Sequence, residues 1–434
     1  MLLFVALACT SAPSSSTSEL VGTWKHHDTA YVDVAAPYVP REASGPNILM
    51  VSIDTLRVGN LAQFGGQADT PNLSRLMTEG RHFTNHRSCS SWTFPGAACA
   101  VTGVDLVDVG WFPQSSVSAD TIPSELKTLA QKLHKRGYAT GMVTSNRVLS
   151  RDHGFARGFD HFWADNFVSA KTVVQEALVT LPELRALSTS WFLHVHFSDP
   201  HLPHEPPPRF LDELQELEEV SWDLQTRTGL GNVEDAWPEL SDDERALILE
   251  HLRVYYDAEL AYLDEQLGEL LDALGDELDE TNVVFWSDHG EQYYEHGSST
   301  HHRSLYGEET LAIGGAWGPH VRKSVVTEPT THAEVFRAAL ALANQQTEGD
   351  DSAYRFSDLV LKTGGLVQAV EHEGLRLIHD TEQGTLELFE LETDPDELSD
   401  LAADRPDDVD ALWEVLEPRV DALRALYPAE DTGG

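Results

Sequence analysis

"NILMVSI", residues 47–53, decides the fold of this chain of 434 residues. It is too short for a stable helix and lacks the apolar/polar alternation of a half-buried strand, so it reads as a strand covered on both faces. "WFLHVHF" (191–197), "NVVFWS" (282–287) and "YATGMVTS" (138–145) read the same way, and "RHFTNHRS" (81–88) as a further extended piece. Helical stretches separate them. "TPNLSRLMTEG" (70–80) closes on Gly80, "IPSELKTLAQKLHKRG" (122–137) carries Pro123 near its start and Gly137 past its end, and residues 241–275 open on a capping box, Ser241 with Glu244. Strands joined by helices of this length predict an α/β fold: a large, mostly parallel sheet sandwiched by helices.

The expected boundaries are an N-terminal signal and tether at 1–45, the α/β domain at 46–346 and a C-terminal subdomain at 352–434. The acidic stretch "NQQTEGDDS" (344–352) links the last two. "LVQAVEHEGLRLIHD" and "GTLELFELE" predict hairpin strands about a Glu382-Gln383-Gly384 turn, and an amphipathic helix over 407–426 completes a small sheet-plus-helix α+β unit.

Charge excludes one class of function. Asp and Glu number 72 against 29 Lys and Arg, a formal net charge of −43. Such a surface repels nucleic acid, and its dispersed carboxylates read as a solvated exterior. The opening "MLLFVALACTSAPSSSTSEL" runs apolar to Ala8-Cys9 and then turns Ser/Thr-rich, like a lipoprotein signal with its tether. The expectation is an exported, periplasmic or cell-surface lipoprotein held to the membrane through Cys9 only, the apolar run being too short to span a bilayer. A cytosolic N-terminus stays open, as does the choice between a bridge and two free thiols for Cys89 and Cys99.

In an open parallel sheet, ligands bind beyond the carboxyl ends of the strands. Asp54 follows "NILMVSI" directly, and Asp288 follows "NVVFWS" with His289 and Gly290 behind it. A lone Asp at a strand end is commonly a turn former or helix cap. With Asp199, His201 and His204 after a third strand end, however, the set forms a cluster of oxygen and imidazole groups suited to a divalent metal. Thr93 stands two residues ahead of Pro95 at a helix start, where a hydroxyl serves equally as a cap and as a nucleophile.

"PNILMVSIDTLR", "TPNLSRLMTEGRHFTN", "SSWTFPGAACAVTG", "GFARGFDHFW", "FSDPHLPHEPP", "SDHGEQYYEHG" and "LELFELETDPDELSDLA" resemble, in this order, the sulfatase family of the alkaline phosphatase superfamily, over about residues 46 to 403. The resemblance implies that family's fold, with Asp54, Asp288 and His289 as metal ligands, Thr93 as nucleophile and metal contact, and His201 facing the leaving group. "STHHRSLYGEE" (299–309) offers His301 or His302 as a further substrate-facing group. Departures matter equally. The Cys-x-Pro-Ser-Arg segment that yields formylglycine reads Thr93-Phe94-Pro95-Gly96-Ala97, so no formylglycine forms; Thr55 stands where a second Asp is frequent, and "GYATGMVTSNRV" lacks a Lys-x-His pair.

What remains resembles the threonine-using branches, such as phosphoglycerol transferases and some phosphodiesterases. It implies a metal-dependent hydrolase or transferase of sulfate or phosphate esters with one divalent cation, Ca, Mn or Mg ahead of Zn. The alternative is a catalytically impaired relative that binds a glycan or anionic ligand, motivated by Gly96 and Ala97. The substrate is expected to be a small-molecule or glycan ester. Selectivity is assigned to the loop over 204–237, whose acidity suggests a neutral, sugar-like leaving group.

Overall fold

The computed structural model describes residues 40–114, 120–344 and 353–427. The stretch expected to be a signal and a Cys9 tether, and nearly all of the acidic linker, lie outside the described residues. The eight-stranded main sheet runs, edge to edge, Ser324–Val326, Arg81–Phe83, Gly314–Trp317, Thr281–Ser287, Asn47–Ile53, Trp191–Phe197, Ala139–Thr144, His161–Ala164. Gly314–Trp317 is antiparallel to both of its neighbours; the other pairings are parallel. This is the large, mostly parallel sheet expected from the apolar runs.

Each face of the sheet is sealed by helices. Leu49, Val51 and Ile53 join Leu73, Leu181 and Leu260 from the helices Pro71–Glu79, Ala170–Leu187 and Asp242–Leu274. Ile48 and Met50 face the other way, toward Phe94, Leu133 and Val335 of Thr93–Thr102, Leu129–His134 and His332–Leu342. The period-2 side-chain alternation of a strand explains why a continuous apolar run was needed: both sets are buried, each such side chain contributing roughly 1.5–3 kcal/mol. The capping box at Ser241 and Glu244 starts the 33-residue helix Asp242–Leu274.

The C-terminal unit is a four-stranded antiparallel sheet with the helix Pro406–Leu426 on it. The stretch read as one strand over 366–380 is itself a hairpin. Glu373 and Gly374, both at positive φ, turn Leu366–His372 into Leu375–Asp380. A strand not anticipated, Arg355–Val360, completes the sheet. Charged side chains rivet it to the main domain: Arg87 pairs with Glu371 at 2.8 Å and with Glu397 at 3.3 Å, Arg376 donates to the Leu305 carbonyl at 2.6 Å, and Arg419 pairs with Asp105 at 2.6 Å. At the other end the domain begins before residue 46, since Arg41 donates its backbone N–H to Leu187 and pairs with Asp160. Among the described residues, no helix is long and apolar enough to cross a membrane.

His296 belongs to this riveting. It pairs through Nδ1 with Glu308 at 2.6 Å, and its Nε2 donates to the Glu397 carbonyl at 2.8 Å. Burial alone would depress its pKa, but the two glutamates raise it to about 9. A raised folded-state value means that the stabilisation is complete below the unfolded pKa near 6.5 and is lost as pH climbs through about 9. The wild-type urea midpoint is therefore expected to fall across that window. In His296→Gln this component of the slope should be absent, which a pH series of urea melts will show.

Candidate active site

Asp54, Asp288, His196 and Asn146 lie at or just past the carboxyl ends of four neighbouring strands. The first two sit on adjacent strands, with Asp54 N–H donating to Phe197 and Asp288 N–H to Ile53. Thr55 then adopts a left-handed conformation, φ 53°, unusual for a β-branched residue. Tyr256 holds it there by donating its hydroxyl to the Thr55 carbonyl at 2.7 Å. The turn aims the Thr55 N–H at Asp288 Oδ1, 3.1 Å away.

Each carboxylate thus spends one oxygen on protein donors and keeps the other. Asp288 Oδ1 also accepts the His289 N–H at 2.8 Å, and Asp54 Oδ2 accepts Asn146 Nδ2–H at 2.7 Å. The remaining oxygens, Asp54 Oδ1 and Asp288 Oδ2, are buried without a hydrogen-bond partner. They lie 3.6 and 3.5 Å from His289 Nε2. His289 Nδ1 faces the Gly290 carbonyl at 2.7 Å and so carries the ring hydrogen, which leaves Nε2 a bare lone pair. Two carboxylate oxygens without a hydrogen-bond partner and an imidazole lone pair therefore converge on one spot.

Such an arrangement is repulsive unless a cation joins it. The charges agree. Burial opposes ionisation of Asp54, but His196, His201 and His289 hold its pKa well below the usual carboxylate range. Burial and the Asp54 charge push Asp288 well above that range, and burial lowers His289 to about 4. His196 Nε2, also unpartnered, is 3.8 Å from Asp54 Oδ2, and one ligand atom from each of Asp54, His196 and Asp288 lies within 4.8 Å of the others. A divalent cation fits this donor set of carboxylate oxygens and imidazole nitrogens.

Thr93 opens the fully buried helix Thr93–Thr102, and its Oγ1 lies 3.5 Å from His289 Nε2. It caps nothing: the N-cap position is Trp92, and no side chain accepts a helix N–H there. Gly96, one turn on, lets the helix approach the second aspartate closely. A Cβ at that position would stand 2.6 Å from the Asp288 carbonyl oxygen. A disulfide joins Cys89 to Cys99, resolving the choice left open by the sequence and closing a loop around Thr93.

His201 and His301 face each other beside this centre. Their ring centroids are 5.1 Å apart, and His301 is 4.6 Å from His289. Thr300 and His302 both take positive φ. His301 is thereby turned inward, with Nδ1 3.0 Å from the buried Glu291, while His302 stacks on Trp92 at 4.7 Å and donates Nε2–H to the Val360 carbonyl at 2.9 Å. Burial lowers the pKa of His201, and burial with His289 and His201 lowers that of His301, so both imidazoles are neutral near pH 7. Phe167, 43% exposed, stacks on His201 at 4.6 Å.

Asp199 and His204 do not join the cluster expected of them. Asp199 accepts the Ala170 N–H at 2.7 Å at a helix start, and His204 is buried against Tyr293 at 3.0 Å. In their place stand His196, Asn146 and Glu291, which sequence reading missed. The signal for His196 was the period of "HVHF": His194 and His196 share a face, both bound to Ser52 Oγ at 2.8 Å.

Comparison with known proteins identifies the family and the fold. The family model described as "Sulfatase" matches residues 46–345. A sulfatase of Formosa agariphila is 24% identical, covering 90% of this chain and 88% of the relative. Among solved structures, BT4656 in complex with D-glucosamine-2-N,6-O-disulfate superposes with a TM-score of 0.69 at 18% identity, over 89% of this chain and 100% of that one. The phosphonate monoester hydrolase of Silicibacter pomeroyi gives 0.68 at 16% identity, over 87% and 96%. These two likenesses establish the shared fold, and the family match spans well over half of the sequence. The chain belongs to the sulfatase family and is a hydrolase acting on sulfuric or phosphoric esters.

Proposed function

We propose that this protein cleaves or transfers a sulfate or phosphate ester with Thr93 as nucleophile, assisted by one divalent cation held by Asp54, Asp288 and His289. The observation that carries the reading is the convergence of two unpartnered carboxylate oxygens and a bare imidazole nitrogen beside a hydroxyl that caps nothing. When bound, the cation lowers the pKa of a neighbouring hydroxyl and offsets charge on a nonbridging ester oxygen. Ca²⁺, Mn²⁺ and Mg²⁺ suit the two carboxylates, and Zn²⁺ suits the imidazoles.

The chain's own groups do the rest. Thr93 Oγ1 bonds to sulfur or phosphorus as the ester oxygen departs on the opposite side. Neutral His201 and His301 are at hand to take up the Thr93 proton and return one to the leaving oxygen. Burial pushes Glu291 well above the carboxylate range, so its carboxyl donates to His301 Nδ1 and sets the His301 hydrogen on the far nitrogen. Water or an acceptor alcohol then releases the ester from Thr93. Gly96 and Ala97, which motivated the binding-only alternative, have a packing reason: the first abuts the Asp288 carbonyl and the second is fully buried. The Cys89–Cys99 bridge supports an exported, oxidising location.

Thr93→Ala is expected to lower kcat on aryl sulfate or phosphonate esters by about 10³-fold or more, with Thr93→Ser keeping part of the rate. Urea melts of Thr93→Ala should match wild type. Full activity in Thr93→Ala would eliminate the mechanism. Chelation is expected to erase turnover and lower the melting temperature, with Mn²⁺, Ca²⁺ or Mg²⁺ restoring both. In Asp288→Asn, the cation should no longer raise the melting temperature; a rise equal to that of wild type would remove Asp288 from the ligand set.

A further inference from the structure

The loop over 204–237 was expected, from its acidity, to favour a neutral leaving group, yet the residue it delivers to the site is a cation. Arg227 opens the helix Arg227–Ala236 and donates Nη1–H to Thr300 Oγ1 at 3.3 Å, next to His301. Arg303 follows two residues after His301. Lys362 comes from the C-terminal unit, two residues past the Val360 carbonyl that anchors His302.

Three unrelated segments thus bring like charges to one place. Arg227, Arg303 and Lys362 all oppose protonation of His302, after the dominant effect of its burial, and Arg227 does so at His201 and His301 as well. Burial and then Arg227 and Arg303 lower Lys362 itself. Their acidic company is thin. Arg303 has Glu234 at 3.8 Å, Glu291 lies behind His301, and among the described residues Lys362 has no carboxylate within ion-pair distance.

In a chain of net charge −43, carboxylate partners are abundant. Mutual repulsion of three cations at the mouth of an ester site is relieved most directly by an anion from outside. We infer that Arg227, Arg303 and Lys362 form a second anion subsite, so that the leaving group of the ester carries a carboxylate, sulfate or phosphate of its own beside the bond that is cut. Phe167 on His201 provides a flat apolar edge for the ring bearing that group. The inference rests on the proposed reading for which ester reacts, and its test is separate from it.

Calorimetry with benzene-1,3-disulfonate and benzenesulfonate at one fixed ionic strength reads the subsite without turnover. Wild type is expected to bind the disulfonate about tenfold or more tightly than the monosulfonate, as one further charge-assisted contact predicts. The preference should weaken with salt, fall toward unity in the Arg227→Gln/Arg303→Gln/Lys362→Gln triple variant, and reverse toward the monosulfonate in Lys362→Glu. Equal affinities in wild type, or a preference that survives the triple substitution, would overturn the subsite. Turnover of 4-nitrophenyl sulfate and phosphonate is measured alongside. Turnover in Thr93→Ala equal to wild type, with the disulfonate preference preserved, removes the Thr93 reading and leaves the subsite standing; turnover that depends on Thr93, without the preference, does the reverse.

Discussion

Two carboxylates at the ends of adjacent parallel strands, both fully buried and both turned toward the same imidazole nitrogen, are the constraint around which this molecule is organised. Like charges in a low-dielectric interior repel strongly, and the fold supplies compensation from every side: the Thr55 and His289 amides on Asp288, and the Asn146 amide on Asp54. The strained backbone of Thr55 is part of the same solution. Without its left-handed turn the amide would point elsewhere and Asp288 would lose a donor. The 33-residue helix reaches the site through Tyr256, which holds that turn in place.

The peripheral units act on the site from its rim. The C-terminal sheet offers the Val360 carbonyl that draws His302 out of the site, and it brings Lys362 to the mouth. Buried pairs such as Arg87 with Glu371 contribute little net stability compared with apolar packing, since both charges leave water. Their value lies in register: a forked, directional contact, Arg87 Nε to Glu371 and Nη2 to Glu397, fixes where the small sheet sits, and therefore where its cation lies relative to His301 and His302.

Much of this was legible in the residues. Apolar runs ending in Asp54 and Asp288 announced a parallel sheet with acids at the strand ends, because only a strand covered on both faces needs such a run. The helix starts at Ser241 and Thr93 were equally plain. His196 was hidden because a histidine inside an apolar strand reads as core. Only the pairing of Ser52 with His196 in adjacent strands shows which way it points. The choice between His301 and His302 depended on backbone signs at residues 300 and 302, a property of the fold rather than of spacing. Arg227 was masked by composition: a loop rich in acid was judged by its average charge, whereas the side chain that reaches the site is set by where the helix begins. Asp199 misled in the opposite sense, since an Asp after a strand caps a helix as readily as it binds a ligand, and here it caps.

The close approach at Gly96 limits what this end of the helix can hold. A formylglycine segment needs a serine at this position and an arginine at the next. Here any β-carbon at 96 meets the Asp288 carbonyl, and residue 97 is fully enclosed. A serine at 96 or an arginine at 97 would therefore require the helix to retreat from the aspartate before either side chain was accommodated. The spacing between this helix and the strand that carries Asp288 is thus set by a missing side chain.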